Sequence, residues 1–126
     1  MKQVLATEQA PAAIGPYSQG IAAGETVYVS GQLPLDPATG AFPEGIAAQT
    51  AQSLKNIQAI LAQQGMTLAN VVKTTVFLTD MNDFGKINPI YASYFEEGNY
   101  PARSCIAVAA LPLGGLIEME VIAVKK

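Results

Sequence analysis

Histidine and tryptophan are absent from this 126-residue chain, and arginine and cysteine occur once each, as Arg103 and Cys105. Each absence excludes a chemistry. Without histidine there is no Ser-His-Asp or Cys-His catalysis, no imidazole general base and no ordinary zinc or haem site, so no metal is expected. A single cysteine rules out an intrachain disulfide and fits a reducing compartment. No Walker loop and no GxGxxG occurs, and nothing in the chain calls for a cofactor. The start, Met1 to Glu8, lacks the apolar core of a signal peptide, and no apolar run is long enough to span a bilayer. No membrane partner and a cytoplasmic location are the expectation. The formal charge is −3, and the six lysines are scattered or terminal, so no basic cluster awaits a phosphate backbone and nucleic acid is a poor candidate partner.

What is abundant is apolar. Half the residues are hydrophobic and 13% are charged, too few polar groups to cover the surface of a small monomer, which favours an oligomer. The length fits one domain over residues 1–126, with no linker, repeat or low-complexity tract. Ala10 to Tyr17 is an ordered glycine- and proline-bearing loop. Ser18 to Ala23 and Thr26 to Ser30 read as strands joined by a Gly24-Glu25 turn, and a proline-rich loop follows from Gly31 to Gly40.

Gly45 to Gln64 is the clearest helix, with Leu54, Ile57 and Leu61 at helical spacing, backed by Ala47, Ala51 and Ile60. Gly65 suits its left-handed stop. Val71 to Leu78 is a β-branched strand. A second helix carries Ile87, Tyr91, Tyr94 and Phe95 on one stripe and stops at Gly98. Pro89 does not fit a regular helix interior, so either Asn88 caps this helix or its first turn is irregular. Strands from Arg103 to Ala110 and Leu116 to Val124 close the chain. The order βββαβαββ indicates an α+β fold, a sheet with two helices on one face. Its other face needs cover, which association of chains would supply, with any pocket then lying between subunits.

Arg103 is the sharpest candidate for chemistry. A guanidinium keeps its charge and is costly to bury alone, so it needs an anion. Either a ligand carboxylate is held by its planar fork, or Glu118 or Glu120 pairs with it across a final hairpin. Each of those glutamates, set in an apolar strand, can position a water or relay a proton if burial raises its pKa, and each fits an exposed edge equally well. Arg103 and Cys105 share a face of an extended strand. Cys105 has no base to activate it beyond the lowering effect of Arg103, so a wall or backbone role is favoured over a covalent one. Tyr17 follows the rigid Gly15-Pro16 and either overhangs a pocket or packs in its loop. Ser30-Gly31 ends a strand where glycine permits close approach. Serine has no base, and a plain strand exit is its default.

Six segments together resemble the Rid family, also called YjgF: Gly15-Pro16-Tyr17-Ser18-Gln19-Gly20, Val29 to Pro34, Val72 to Leu78, Pro101-Ala102-Arg103-Ser104-Cys105, Leu111-Pro112 and Ile117-Glu118-Met119-Glu120. The resemblance runs almost end to end. It implies a chorismate-mutase-like subunit with a six-stranded sheet, assembled as a homotrimer whose sheets form a central barrel, with sites in the clefts between subunits. It also implies hydrolysis of 2-imino acids such as 2-iminopropanoate and 2-iminobutanoate to 2-keto acids and ammonia. These imines are released by pyridoxal-phosphate enzymes acting on serine and threonine.

By that resemblance Arg103 binds the substrate carboxylate and Glu118 orients the attacking water. Backbone around Gly31 and Cys105 contacts the imine end, and Tyr17, Ser30 and Asn88 line the cleft. Pro89 and the Gly98-Asn99-Tyr100 loop are less typical of the family. An imine is already electrophilic, so a clamp and one carboxylate form a sufficient apparatus. Two other readings keep the fold: a non-enzymatic small-carboxylate sensor or chaperone-like trimer, and an endoribonuclease or translation inhibitor. Net negative charge and the missing histidine oppose the last.

Overall fold

A computed structural model describes residues 1–125. Six strands form one sheet: β1 (Lys2–Leu5), β2 (Gly20–Ala23), β3 (Thr26–Gln32), β4 (Val71–Leu78), β5 (Ala102–Ala107) and β6 (Ile117–Val124), in the spatial order β1-β2-β3-β6-β4-β5. Two helices, α1 (Ile46–Leu61) and α2 (Phe84–Ser93), complete the α+β architecture. All pairings are antiparallel except β4 with β5, which are joined through α2 as a parallel crossover demands. The three-strand opening includes β1, for which the sequence offered no residue range. It is a short edge strand with only Leu5 buried.

The faces follow from the two-residue alternation. Val27, Val29, Val76, Leu78, Ile117, Met119, Val121 and Ala123 are buried beneath the helices with Leu54, Ile57, Ile60, Leu61 and Ile87. Opposite them the sheet is bare: Tyr28 and Ile106 each leave about half their surface in solvent. Gly65, at φ 67, stops the turn after α1 as its sequence predicts, and Met66 is buried beside it.

Three expectations are corrected. The last two strands do not form a hairpin, because β6 inserts between β3 and β4 and leaves β5 at the far edge. Asn88 does not cap a helix, and Pro89 lies inside α2, not at its start. The bond that Pro89 cannot donate would have gone to Gly85, early in a helix already entered through the turn Met81–Asp83. Ala47 is exposed. The inner stripe of α1 includes polar Gln49, Thr50, Ser53 and Asn56, all buried.

That polar stripe has partners. Ser53 Oγ donates to the Gln32 carbonyl (3.0 Å), Asn56 Nδ2 to the carbonyls of Leu33 (3.1 Å) and Leu35 (2.9 Å), and Gln49 Nε2 to that of Pro43 (3.1 Å). Gln49 Oε1 accepts from the Leu116 amide at 3.0 Å. Buried polar groups are tolerated only when bonded. Here they pin the loop after β3 and the entry to β6 onto α1, which sets the walls of the cleft described next.

Candidate active site

Arg103 projects from β5 onto the helix side of the sheet, since its cross-strand neighbour Thr74 is wholly buried there. Three side chains of α2 receive it. Its Nη1 donates to Asn88 Oδ1 at 2.8 Å. The guanidinium carbon lies 4.7 Å from the Tyr91 ring centroid and 5.3 Å from that of Phe84. Tyr91 is fixed in turn by a 2.8 Å hydrogen bond between its hydroxyl and Thr74 Oγ1. Spacing of three and four residues places Phe84, Asn88 and Tyr91 on one side of the helix. Asn88, Tyr91, Ala92, Tyr100, Pro101 and Arg103 line a hollow of about 350 Å³.

Among the described residues no carboxylate reaches Arg103. The single ion pair among the described residues joins Lys86 to Asp83 at 3.5 Å. The glutamates of β6 are excluded by the register: Glu118 lies opposite Phe77 and Glu120 opposite Thr75, whereas Arg103 lies opposite Thr74. Alternation puts both acids on the bare face. The guanidinium is oriented by a neutral amide and two aromatic rings, so its fork remains available for an anion.

Cys105 shares the Arg103 face, as expected, and is partly buried against the core. The anticipated lowering of its pKa does not result. Burial pushes the thiol up, and Arg103 only partly offsets this. Poor activation by a cation and the absence of a base leave Cys105 a weak nucleophile.

The remaining candidates gather on the other side. Tyr17, Ser30, Gly31, Glu118 and Glu120 line one cleft of about 710 Å³, with Gln19 and apolar residues of three loops. The backbone explains the grouping. The register between β3 and β6 shifts between Val29 and Gln32, so Ser30 and Gly31 form a bulge facing β6. A Cβ on Gly31 would stand 2.6 Å from Glu118 Oε2, so only glycine lets the carboxyl lie along this strand. Burial raises the Glu118 pKa above its ordinary 4.5, and Glu120 adds to the rise.

Ser30 Oγ donates to the Ser18 carbonyl, so the serine ties β3 to the segment just before β2 and its proton is engaged there. Tyr17 is half exposed, with its amide donating to the Gly15 carbonyl at 2.9 Å. Gln19, unremarked in the sequence beyond its motif, is 4% exposed and staples the whole approach. Its Nε2 faces the carbonyls of Thr7 (3.1 Å), Ala10 (3.3 Å) and Pro11 (2.7 Å), and its Oε1 accepts from the Thr7 amide at 2.7 Å.

The candidates thus form two groups on opposite faces. Asn88, Arg103 and Cys105 lie on the helix side, and Tyr17, Ser30, Gly31 and Glu118 on the bare side. Phe84 and Tyr91 join the first group by their contact with Arg103, and only the stripe they share with Asn88 could have signalled it. Among the described residues no group of acids and cysteine has metal-site geometry, and no helix is long and apolar enough to cross a membrane.

The six-stranded α+β fold thus carries a held guanidinium without an acidic partner among the described residues on one face, and a partly buried carboxyl on the other. Comparison with known proteins names the family. The model described as endoribonuclease L-PSP matches residues 7–125, and the chain belongs to that family, the Rid or YjgF group that its motifs resemble. It is 51% identical to the 2-iminobutanoate/2-iminopropanoate deaminase of Salmonella typhimurium strain LT2 over the full length of both, and 52% identical to the rat protein of the same name, covering 99% of this chain and 91% of that one. Among solved structures, the Escherichia coli YjgF gene product superposes with a TM-score of 0.94 at 48% identity, and E. coli TdcF with bound serine with 0.94 at 44%; both comparisons cover 98% of this chain and 99% of the other.

Proposed function

We propose that this chain, acting as one domain, hydrolyses 2-imino acids to 2-keto acids and ammonia, with 2-iminopropanoate and 2-iminobutanoate as substrates. One observation carries the reading. The chain's only arginine is positioned by Asn88, Tyr91 and Phe84 and has no carboxylate partner among the described residues. A planar fork left open in this way matches a small acid. Relatives about half identical over their full length carry the deaminase name, and a structural neighbour was solved with serine, itself a small carboxylate.

The chemistry needs little beyond holding and hydration. Water adds to the carbon of C=N, the carbinolamine collapses, and the C–N bond breaks to release ammonia. Arg103 holds the carboxylate. Glu118 orients the water, takes its proton and returns it to the departing nitrogen, a shuttle suited to a carboxyl whose pKa is raised by burial. Backbone near Gly31 and Cys105 meets the imine end, and Tyr17, Ser30 and Asn88 border the cleft. No residue forms a covalent bond to the substrate.

Arg103 and Glu118 occupy opposite faces of one sheet, so a single chain does not bring them to one substrate. Association does: a homotrimer whose bare faces pack as a central barrel of chorismate-mutase-like subunits sets the arginine of one chain beside the glutamate of the next. The exposed Tyr28 and Ile106 on the bare face and the low charge fraction support this. The single reduced cysteine is consistent with a cytoplasmic site of action. RNA cleavage, the activity in the family's name, is opposed by net charge −3 and the lack of histidine.

The test couples a threonine dehydratase to this protein with semicarbazide competing for the imine. Faster keto-acid formation and less semicarbazone are expected, both abolished in Arg103→Ala. No acceleration with any imino acid at high protein concentration would end the assignment, and retained acid binding without turnover would leave a sensor.

A further inference from the structure

Leu113 is the place where backbone cost and side-chain placement disagree most. At φ 60 and ψ 19 it is the sole non-glycine among the described residues with a positive φ. A Cβ in the left-handed region crowds the following carbonyl, and glycine or asparagine would carry the same turn more cheaply. Glycines do follow, as Gly114 at φ 75 and Gly115. Yet Leu113 recovers almost nothing by packing within its own chain, since 80% of its surface is exposed.

The turn itself is held firmly. Gly114 N–H donates to the Leu111 carbonyl (3.3 Å) and Gly115 N–H to that of Pro112 (3.2 Å). Gly115 is buried so closely that an added Cβ would stand 3.2 Å from Leu33 and 3.3 Å from Phe42. A fixed turn thus presents an uncovered leucine to the cleft that contains Gly31 and Glu118. Pro11, Ile14, Leu33 and Leu35 join it there, and no lysine or arginine does. Strain of this kind gathers where a side chain has work to do.

We propose that Leu113 is a specificity-determining residue that covers the carbon chain of the imino acid and favours aliphatic chains longer than methyl. This rests on the deaminase reading, in which Arg103 takes the carboxylate and the C=N carbon faces Glu118. The substituent on that carbon is then the part of the substrate left to meet the apolar lining. Each methylene covered is worth about fourfold in kcat/KM.

Leu113→Gly and Leu113→Asn both suit the left-handed backbone, so the turn persists in each. Imines are generated in place by an amino-acid oxidase from alanine, 2-aminobutanoate, norvaline and norleucine, with semicarbazide competing, and oligomeric state is followed by light scattering. In the wild type kcat/KM climbs with chain length. In both variants it stays within about twofold for 2-iminopropanoate and falls about tenfold for 2-iminohexanoate, with the assembly unchanged. An equal loss on every substrate, no loss on any, or a change of assembly overturns the proposal, the last by assigning Leu113 to contact between chains. A wild type inactive on every imine would remove the deaminase reading and this inference together, an outcome distinct from the other three.

Discussion

Replacing Gly31 with alanine moves Glu118 without a reason for the chain to unfold. Gly31 lies outside the left-handed region, so its backbone accepts an L side chain. The new Cβ would stand 2.6 Å from Glu118 Oε2, 2.9 Å from Cδ and 3.2 Å from Cγ. Ordinary contact begins near 3.4 Å, so the carboxyl must retreat by about 0.8 Å, and a misplacement of about 1 Å costs on the order of a hundredfold in rate. The atoms in conflict belong to the end of a flexible side chain, so the displacement is absorbed by rotation and stability changes by less than about 1 kcal/mol. Steady-state turnover of 2-iminobutanoate, measured beside thermal unfolding, reads both effects. The expected result is a kcat about two orders of magnitude below wild type at nearly the same Tm. Wild-type kcat in a folded Gly31→Ala protein would mean that the position of Glu118 does not matter, and the proposed water-orienting role would fail.

Other perturbations separate the parts. Asn88→Ala frees Arg103 from its one hydrogen bond and should lower kcat/KM by about tenfold, whereas Arg103→Lys loses the fork itself and should cost about a hundredfold; initial-rate kinetics decides. Tyr91→Phe leaves the ring under Arg103 but strands buried Thr74, so unfolding free energy should drop by about 1–2 kcal/mol with kcat little changed in denaturant and rate assays. Cys105→Ala should retain activity within about threefold, since a partly buried thiol with a raised pKa and no base is not the nucleophile. Because the Glu118 pKa is raised on folding, its cost to stability is absent below the unfolded value and grows as pH rises through the folded one. Glu118→Gln should therefore be the more stable protein at neutral pH, with the gap in Tm closing toward acid, and a gap that widens on acidification would contradict the raised pKa.

The local signals in the chain were strong where one periodicity acts alone. Leu54, Ile57 and Leu61 mark α1, the β-branched run from Val71 marks β4, and Gly65 marks a helix stop by its own backbone freedom. They weakened where distant segments compete. The polar stripe Gln49, Ser53 and Asn56 looks like a wet face until its loop partners are known, while Ala47, which seems apolar enough, is outside. Chain adjacency made β5 and β6 look like a hairpin, but β6 pairs with β3 and β4 because the crossover through α2 delivers β5 to the edge. That one strand order decides whether Arg103 can meet Glu118 within its own chain, and nothing local in either segment encodes it. The family motifs single out the candidate residues. Their separation onto two faces was not.

A subunit-mixing experiment bears most directly on this separation. Arg103→Ala and Glu118→Gln proteins, each inactive alone, are refolded together in equal amounts. If every site takes its arginine from one chain and its glutamate from a neighbour, random association leaves both groups intact in about a quarter of all sites, and about a quarter of wild-type activity returns. A mixture no more active than its parents, in assemblies proven to be mixed, would place both groups in one chain's site and contradict the account.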